Sequence, residues 1–107
     1  FVFDALRFIH HKPIALEIGR LGEYTPIKSF EGDNSVTAAW ASMREYWGSW
    51  LEAAGHKVPR NASGKVAVDI EISPRFAISR DEFLEKASKV TLPQNGTIVI
   101  LADGAVR

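Results

Sequence analysis

The sequence has 107 residues, about the length of one domain, and its 46% of hydrophobic residues is typical of globular proteins with a buried core. Lysine plus arginine equal aspartate plus glutamate at 13 each, so no basic field would attract a nucleic acid polymer. The absence of cysteine excludes disulfides and zinc-thiolate sites and favours a reducing, cytoplasmic location. No apolar run approaches the roughly 20 residues of a membrane-spanning helix, so we expect no membrane partner.

The chain begins with Phe-Val-Phe rather than with a methionine and ends soon after a predicted strand, so we expect a piece of a longer protein. Residues 4–10 predict a short helix, because Asp4 is a suitable N-cap and Pro13 would end it. Apolar and other side chains alternate sufficiently over residues 14–19 to predict a β-strand. Phe3 falls off the apolar stripe of the helix, so it belongs either to the core of another layer or to the wall of a pocket.

A turn-rich loop over residues 22–34 holds one lysine, Lys28, among apolar side chains. Pro26 fixes its own φ and favours an extended Thr25, so Lys28 should project from a stiff segment. The loop follows a predicted strand and leads to the start of a long helix, where free backbone N–H groups favour anions. Phosphate binding by Lys28 is one interpretation, and a surface lysine beside a hydrophobic plug is the other.

The strongest pattern is an amphipathic helix that begins near Asp33 or Asn34, either of which is a suitable N-cap, and ends at Gly55. Three tryptophans on its apolar face predict a core position, with stacking on a sugar or docking of a partner as alternatives. Gly48 inside the helix predicts close packing on its side, because glycine costs about 1 kcal/mol there relative to alanine. The apolar face consists of Val36, Ala39, Trp40, Met43, Trp47, Trp50, Leu51 and Ala54.

The composition changes after this helix to turn-forming and polar residues. We therefore predict a hinge at residues 57–65 between two domains. The first would comprise residues 1–56 and the second, which is rich in strands, residues 66–107.

Beyond the hinge we predict a strand, a short helix and a second strand. Residues 66–72 alternate strictly, which indicates a half-buried strand. A capping box at residues 79–82 begins the helix, and residues 97–101 predict the second strand. Asp69 and Glu71 on the first strand are either an acid/base or metal-binding pair or, more commonly for such a pattern, solvated carboxylates.

Four stretches of the sequence, FVFDALRF, LEIGRLGEYTPIK, DNSVTAAWASMREYWGSWLEAAG and DIEISPRFAIS, resemble in this order the C-terminal part of eukaryotic-type UDP-sugar pyrophosphorylases. The pattern is most similar to the UDP-N-acetylhexosamine pyrophosphorylase branch. This resemblance implies an α/β fold, namely the C-terminal end of a Rossmann-like nucleotidyltransferase domain followed by the start of a smaller β-rich domain. The sequence departs from the family at Ser29, where asparagine is usual, and at Tyr24 and Thr25, where Phe and Ser are usual.

The resemblance also implies an activity. Members of the family are uridylyltransferases that join UTP and a hexose 1-phosphate, such as N-acetylglucosamine 1-phosphate or glucose 1-phosphate, with Mg²⁺ as cofactor. By position, Lys28 matches the family's phosphate-contacting lysine, and Phe1 and Phe3 match aromatic residues of the sugar pocket. The family's glycine-rich nucleotide loop is absent here, so we expect this stretch alone to be inactive. The other hypothesis is a non-catalytic binding or oligomerisation module that uses the tryptophan face.

Overall fold

A computed structural model describes residues 2–93 and 96–107 of the chain. It contains a 3₁₀ helix, a long helix, and a strand–helix–strand unit. No helix formed by these residues has both the length and the apolar character that a membrane span requires. The elements are the 3₁₀ helix Val2–Phe8, helix α1 at Val36–Ala53, strand β1 at Ile70–Ile72, helix α2 at Arg80–Lys86, a second 3₁₀ helix at Ala87–Lys89 and strand β2 at Ile98–Ile100.

Helix α1 begins and ends close to the predicted positions, but its N-cap is Ser35 rather than Asp33 or Asn34. The Ser35 hydroxyl accepts a hydrogen bond from the amide of Ala38, which satisfies one of the N–H groups that a helix leaves unpaired in its first turn. After the helix, Gly55 adopts a φ of +86°, which side chains disfavour. The predicted glycine stop is therefore confirmed.

Strands β1 and β2 form a parallel two-stranded sheet, and α2 with its flanking turns makes the crossover between them. In the register of the sheet, Ile70 lies opposite Ile98 and Ile72 lies opposite Ile100. The strand predicted at residues 66–72 is thus shorter than expected. Its alternation of buried and exposed side chains is nevertheless confirmed.

The predicted cap of α2 at Ser79 is confirmed, whereas the reciprocal bond of the capping box is shifted by one residue, to Ile78 instead of Ser79. The Ser79 hydroxyl accepts a hydrogen bond from the amide of Glu82, and the Glu82 carboxylate accepts one from the amide of Ile78. One turn later, Lys86 donates to Glu82 and to the carbonyl of Phe76. Lys86 and then the Ile78 amide lower the pKa of Glu82, because both favour its ionised form.

One hydrophobic core joins α1 to the strand–helix–strand unit. Helix α1 contributes Trp50 and Leu51, which are almost completely buried. Phe83 of α2 packs against Trp50, with ring centroids 5.9 Å apart. The core therefore contains residues from both sides of the predicted hinge at 57–65, while the division into two domains stays a prediction. The other buried members are Val66, Ile70, Ile72, Phe76, Ala77, Val90, Ile98 and Ile100.

Close packing at Gly48 is also confirmed. A Cβ atom at this position would lie 2.9 Å from Cγ2 of Val66, closer than two such carbons can approach. Val66 is buried and β-branched, so it has little freedom to move aside. Glycine therefore lets α1 lie directly against the residues that lead into β1.

The segment predicted as a hinge is attached to α1 through Arg60. Its guanidinium donates to the Glu52 carboxylate at 2.8 and 2.9 Å and to the Glu45 carboxylate at 3.1 Å. Glu45 also accepts a hydrogen bond from the amide of Val66 at 2.7 Å. These charge-assisted bonds fix the position of the segment against the helix.

Glu45 makes this attachment sensitive to pH. Its burial opposes ionisation, but hydrogen bonds from the Val66 amide and from Arg60 outweigh burial, so the pKa of Glu45 is lowered from the usual 4.5. Because the folded-state pKa is below the unfolded-state pKa, the stabilisation is fully present above the unfolded-state value. It is lost as pH falls through the folded-state pKa.

We expect Glu45→Gln to reduce the pH dependence of the free energy of unfolding between about pH 5 and pH 3. Urea unfolding at several pH values across this range would measure the slope. Glu82 retains its own low pKa, so some acid dependence should persist. Glu85→Gln, which changes an exposed carboxylate of α2, serves as the control. An acid slope in Glu45→Gln equal to that of the unmodified chain would contradict this interpretation.

The chain before α1 lies outside the core. The helix predicted at residues 4–10 is instead the 3₁₀ helix Val2–Phe8. Short helices gain most of their stability from packing, and Phe3 and Phe8 of this segment are exposed. The local sequence alone therefore does not provide a stable α-helix here.

The strand predicted at residues 14–19 is wrong, because the described residues there form no strand. A strand requires a neighbour with which it exchanges backbone hydrogen bonds, and the sheet of the described residues contains β1 and β2 alone. The alternating side chains of Ile14, Leu16 and Ile18 are consequently exposed. The radius of gyration, 17.3 Å, exceeds the about 13 Å of a compact domain of this length, as expected when a segment lies outside the core.

Candidate functional site

Lys28, the predicted phosphate-contacting residue, lies in a loop whose backbone is tied to the start of α1. The amide of Lys28 donates to the carbonyl of Asn34 at 2.8 Å, and the amide of Ser29 donates to the same oxygen at 3.1 Å. The side chain of Lys28 is exposed. The loop therefore holds the main chain of Lys28 while its ammonium stays accessible to a ligand.

Ser35 closes the other end of this loop. Its hydroxyl donates to the carbonyl of Gly32 at 2.7 Å, and its amide donates to the same oxygen at 3.2 Å. Gly32 has a φ of +83°, which permits this turn. Ser35 is the one polar residue that is buried within the described residues. Sequence reasoning missed it, although a serine directly before an apolar helical pattern is a strong N-cap signal.

The loop also brings Lys28 to the amino end of α1. The first N–H groups of an α-helix have no intrahelical partners, and the helix dipole favours negative charge at this end. Because the Lys28 amide is bonded to Asn34, two residues before Val36 begins the helix, the backbone of Lys28 lies near that end. The arrangement suits a phosphate group.

The other predicted site residues are not joined to this loop. Phe1 lies outside the described residues. Phe3 belongs to the first 3₁₀ helix, and its side chain is 77% exposed. Neither the hydrogen bonds nor the aromatic contacts of the described residues connect Phe3 to Lys28. A role for Phe1 and Phe3 in a sugar pocket stays a prediction.

The apolar side chains of the loop do not form the plug that its composition suggests, because all of them are exposed. They are Tyr24, Ile27 and Phe30. The loop contacts α1 at other points. The backbone of Gly22 lies against the ring of Tyr46, too close for any side chain at position 22. The hydroxyl of Thr25 donates to that of Ser42 at 3.2 Å, beside a cavity of about 300 Å³.

A second groove, of about 480 Å³, lies between α1 and β1. Trp40 and Met43 line it from α1, and Arg44 crosses it to Asp69. The Arg44 Nε and Asp69 Oδ1 atoms are 3.1 Å apart but are not aligned as a hydrogen bond, so this ion pair is coulombic and weakened by solvent. The tryptophan face is thus divided: Trp50 is 3% exposed in the core, whereas Trp40 is 60% exposed at the groove.

The residues present do not fit a Mg²⁺ site. Within residues 2–93 and 96–107, no group of three or more His, Cys, Asp and Glu side chains is arranged to hold a metal ion. Asp69 is paired with Arg44, and Glu71 is exposed on the sheet. We therefore assign no metal ligand among the described residues.

Comparison with known proteins identified no relative of this chain. No family model matches the chain, and neither the curated proteins nor the solved structures gave a match. The resemblance to pyrophosphorylases rests on the four sequence stretches alone.

Proposed function

We propose that the chain is the C-terminal part of a UDP-sugar pyrophosphorylase, which converts UTP and a hexose 1-phosphate to a UDP-sugar and pyrophosphate. The observation that carries this proposal is the ordered series of four stretches that resemble the family. Because the pattern is most similar to the UDP-N-acetylhexosamine branch, N-acetylglucosamine 1-phosphate is the expected substrate. Glucose 1-phosphate is the alternative.

Lys28 would neutralise charge in this reaction. A phosphate oxygen of the sugar phosphate attacks the α-phosphorus of UTP, and the bond from that phosphorus to the departing pyrophosphate breaks. Both reactants are polyanions, so cations and fixed positions carry most of the rate. The accessible ammonium and anchored backbone of Lys28 support this role. The resemblance also implies Mg²⁺ as a cofactor, with ligands outside this chain.

The uncovered apolar side chains before α1 also support a larger protein. A row formed by Ile14, Leu16 and Ile18 is exposed. Contiguous apolar surface of this kind marks a contact with another part of a protein or with a partner. Contact of these side chains with the rest of a nucleotidyltransferase domain would cover this apolar surface.

The proposal is tested with the full-length product of the gene that encodes this chain. The protein is incubated with UTP, Mg²⁺ and each of several hexose 1-phosphates, and the release of pyrophosphate is measured. We expect turnover with N-acetylglucosamine 1-phosphate or glucose 1-phosphate and none with the corresponding free sugars, which lack the attacking phosphate. A folded protein that turns over none of the sugar phosphates would exclude this function.

A further inference from the structure

The hydroxyl group of Ser35 links the Lys28 loop to α1. The residue is 4% exposed, although Val36 beside it is exposed. Its oxygen takes part in two hydrogen bonds, donating to the carbonyl of Gly32 at 2.7 Å and accepting from the amide of Ala38 at 3.2 Å. One buried side chain therefore connects a turn of the loop to the first turn of the helix.

Asn34 lies next to this link and carries the anchor for Lys28. Its carbonyl oxygen accepts hydrogen bonds from the backbone amides of Lys28 and Ser29, at 2.8 and 3.1 Å. The direction of a carbonyl depends on the few backbone dihedral angles around it. Because Ser35 is held both to the loop and to the helix, the peptide group that joins it to Asn34 has little freedom to turn. The backbone of Lys28 is thus held indirectly by Ser35.

We propose that Ser35 is a positioning residue for Lys28, and that its hydroxyl holds the loop in the conformation from which the Lys28 ammonium meets a substrate phosphate. This inference rests on the proposed function, because it requires that Lys28 contact a phosphate. A lysine side chain is long and flexible, so an anchored main chain restricts the volume over which its charge is spread. Loosening the loop lowers the rate without removing the charge, since the ammonium is then less often in place.

The test measures kcat/KM for pyrophosphate release by the full-length protein and by four variants: Ser35→Ala, Ser35→Thr, Lys28→Ala and the double variant Lys28→Ala/Ser35→Ala. We expect Ser35→Ala to lower kcat/KM about tenfold. Ser35→Thr keeps the hydroxyl and should stay within about threefold of the unmodified protein. Once Lys28 is removed, Ser35→Ala should have little further effect, because the two residues act as one unit. Independent, multiplying effects of the two substitutions would overturn the inference.

Ser79→Ala is the matched control for a lost helix cap. Ser79 caps α2 as Ser35 caps α1. Its hydroxyl accepts a hydrogen bond from the amide of Glu82 at 3.2 Å, the same distance as that between the Ser35 hydroxyl and the amide of Ala38. We expect Ser79→Ala to lower the unfolding temperature but to leave kcat/KM unchanged. Equal losses of kcat/KM in both serine variants would show that Ser35 acts through stability alone and would overturn its positioning role.

Hydrogen exchange tests the positioning role of Ser35 separately from the proposed uridylyltransferase activity. Mass spectrometry of the full-length protein follows the peptide that carries the amides of Lys28 and Ser29. Ser35→Ala should speed exchange there about tenfold, and Ser79→Ala should not. An unmodified protein without uridylyltransferase turnover would overturn the proposed function and with it the catalytic part of this inference. An active protein in which Ser35→Ala leaves the exchange unchanged would overturn the positioning role alone.

Discussion

If the full-length protein is the proposed uridylyltransferase, replacement of Lys28 by alanine is expected to lower its kcat/KM by about 100-fold, because removal of one fixed group that stabilises transition-state charge typically costs 10²–10³ in rate. Pyrophosphate release under limiting sugar phosphate gives this value. The fold should be unaffected, since the backbone of Lys28 makes the bond to Asn34 and its side chain is exposed. Equal unfolding temperatures for the variant and the unmodified protein would confirm this.

Two further lysine variants test whether the effect depends on the shape of the cation and on its position in the chain. Lys28→Arg keeps the charge but replaces a compact ammonium with a planar fork, so we expect an intermediate loss of about tenfold. Lys12→Ala removes another exposed lysine of the same segment and should leave kcat/KM within about twofold. A Lys28→Ala protein that retains activity within about threefold of the unmodified enzyme would exclude the phosphate role, since so small a loss is not that of a group required by the transition state.

Elements whose stability arises within a short stretch of sequence were predictable. Helix α1 has a regular apolar spacing and a glycine stop, and both are present in the structure. The capping box at Ser79 places the start of α2 at the correct residue. The alternation of apolar and polar residues before and within β1 correctly predicts that Ile70 and Ile72 are buried. The strand itself is shorter than predicted, since only three of its residues pair with β2.

Features that depend on distant partners were not predictable. The residues at 14–19 have the composition of a strand, but composition does not provide the neighbour that a strand needs. The exposure of Trp40 is a similar case, because helical spacing describes one face while the core covers only the part that contains Trp50. The turn from Gly32 to Ser35 was missed for another reason: several adjacent residues are suitable caps, and the helical pattern alone does not choose among them.

The loop at residues 22–34 illustrates what a sequence pattern can and cannot predict about a candidate site. Lys28 was singled out because it is the one lysine of a stiffened loop before a helix, and the resemblance to a family motif added to this; its side chain is exposed, while the phosphate role stays a prediction. Ser35 was not singled out because Asp33 and Asn34 beside it are also suitable caps. Its burial and its bonds to Gly32 and Ala38 become visible only in the folded chain. The sequence pattern thus selects the candidate side chain, and the structure adds the contacts that hold its backbone.

Phe83→Ala is expected to lower the free energy of unfolding of the 107-residue chain by about 3–5 kcal/mol, the usual cost of removing a fully buried phenylalanine. Phe83 is completely buried, and its ring packs on Phe76 and on Trp50, 6.0 and 5.9 Å away between centroids. Urea unfolding followed by tryptophan fluorescence measures the change, because Trp50 reports directly on this contact. Phe83→Leu removes less volume and should lose about 1–1.5 kcal/mol, which keeps the measurement possible if the alanine variant does not fold.

Phe30→Ala makes the same deletion at a side chain that is 96% exposed. In the 107-residue chain it should change the free energy of unfolding by less than about 0.5 kcal/mol. In the full-length protein the same substitution should cost about 1 kcal/mol or more, because the proposed nucleotidyltransferase domain would cover part of this apolar surface. A small effect of Phe83→Ala would contradict the core assigned here, whereas a negligible effect of Phe30→Ala in both proteins would contradict the proposed covering of the segment before α1.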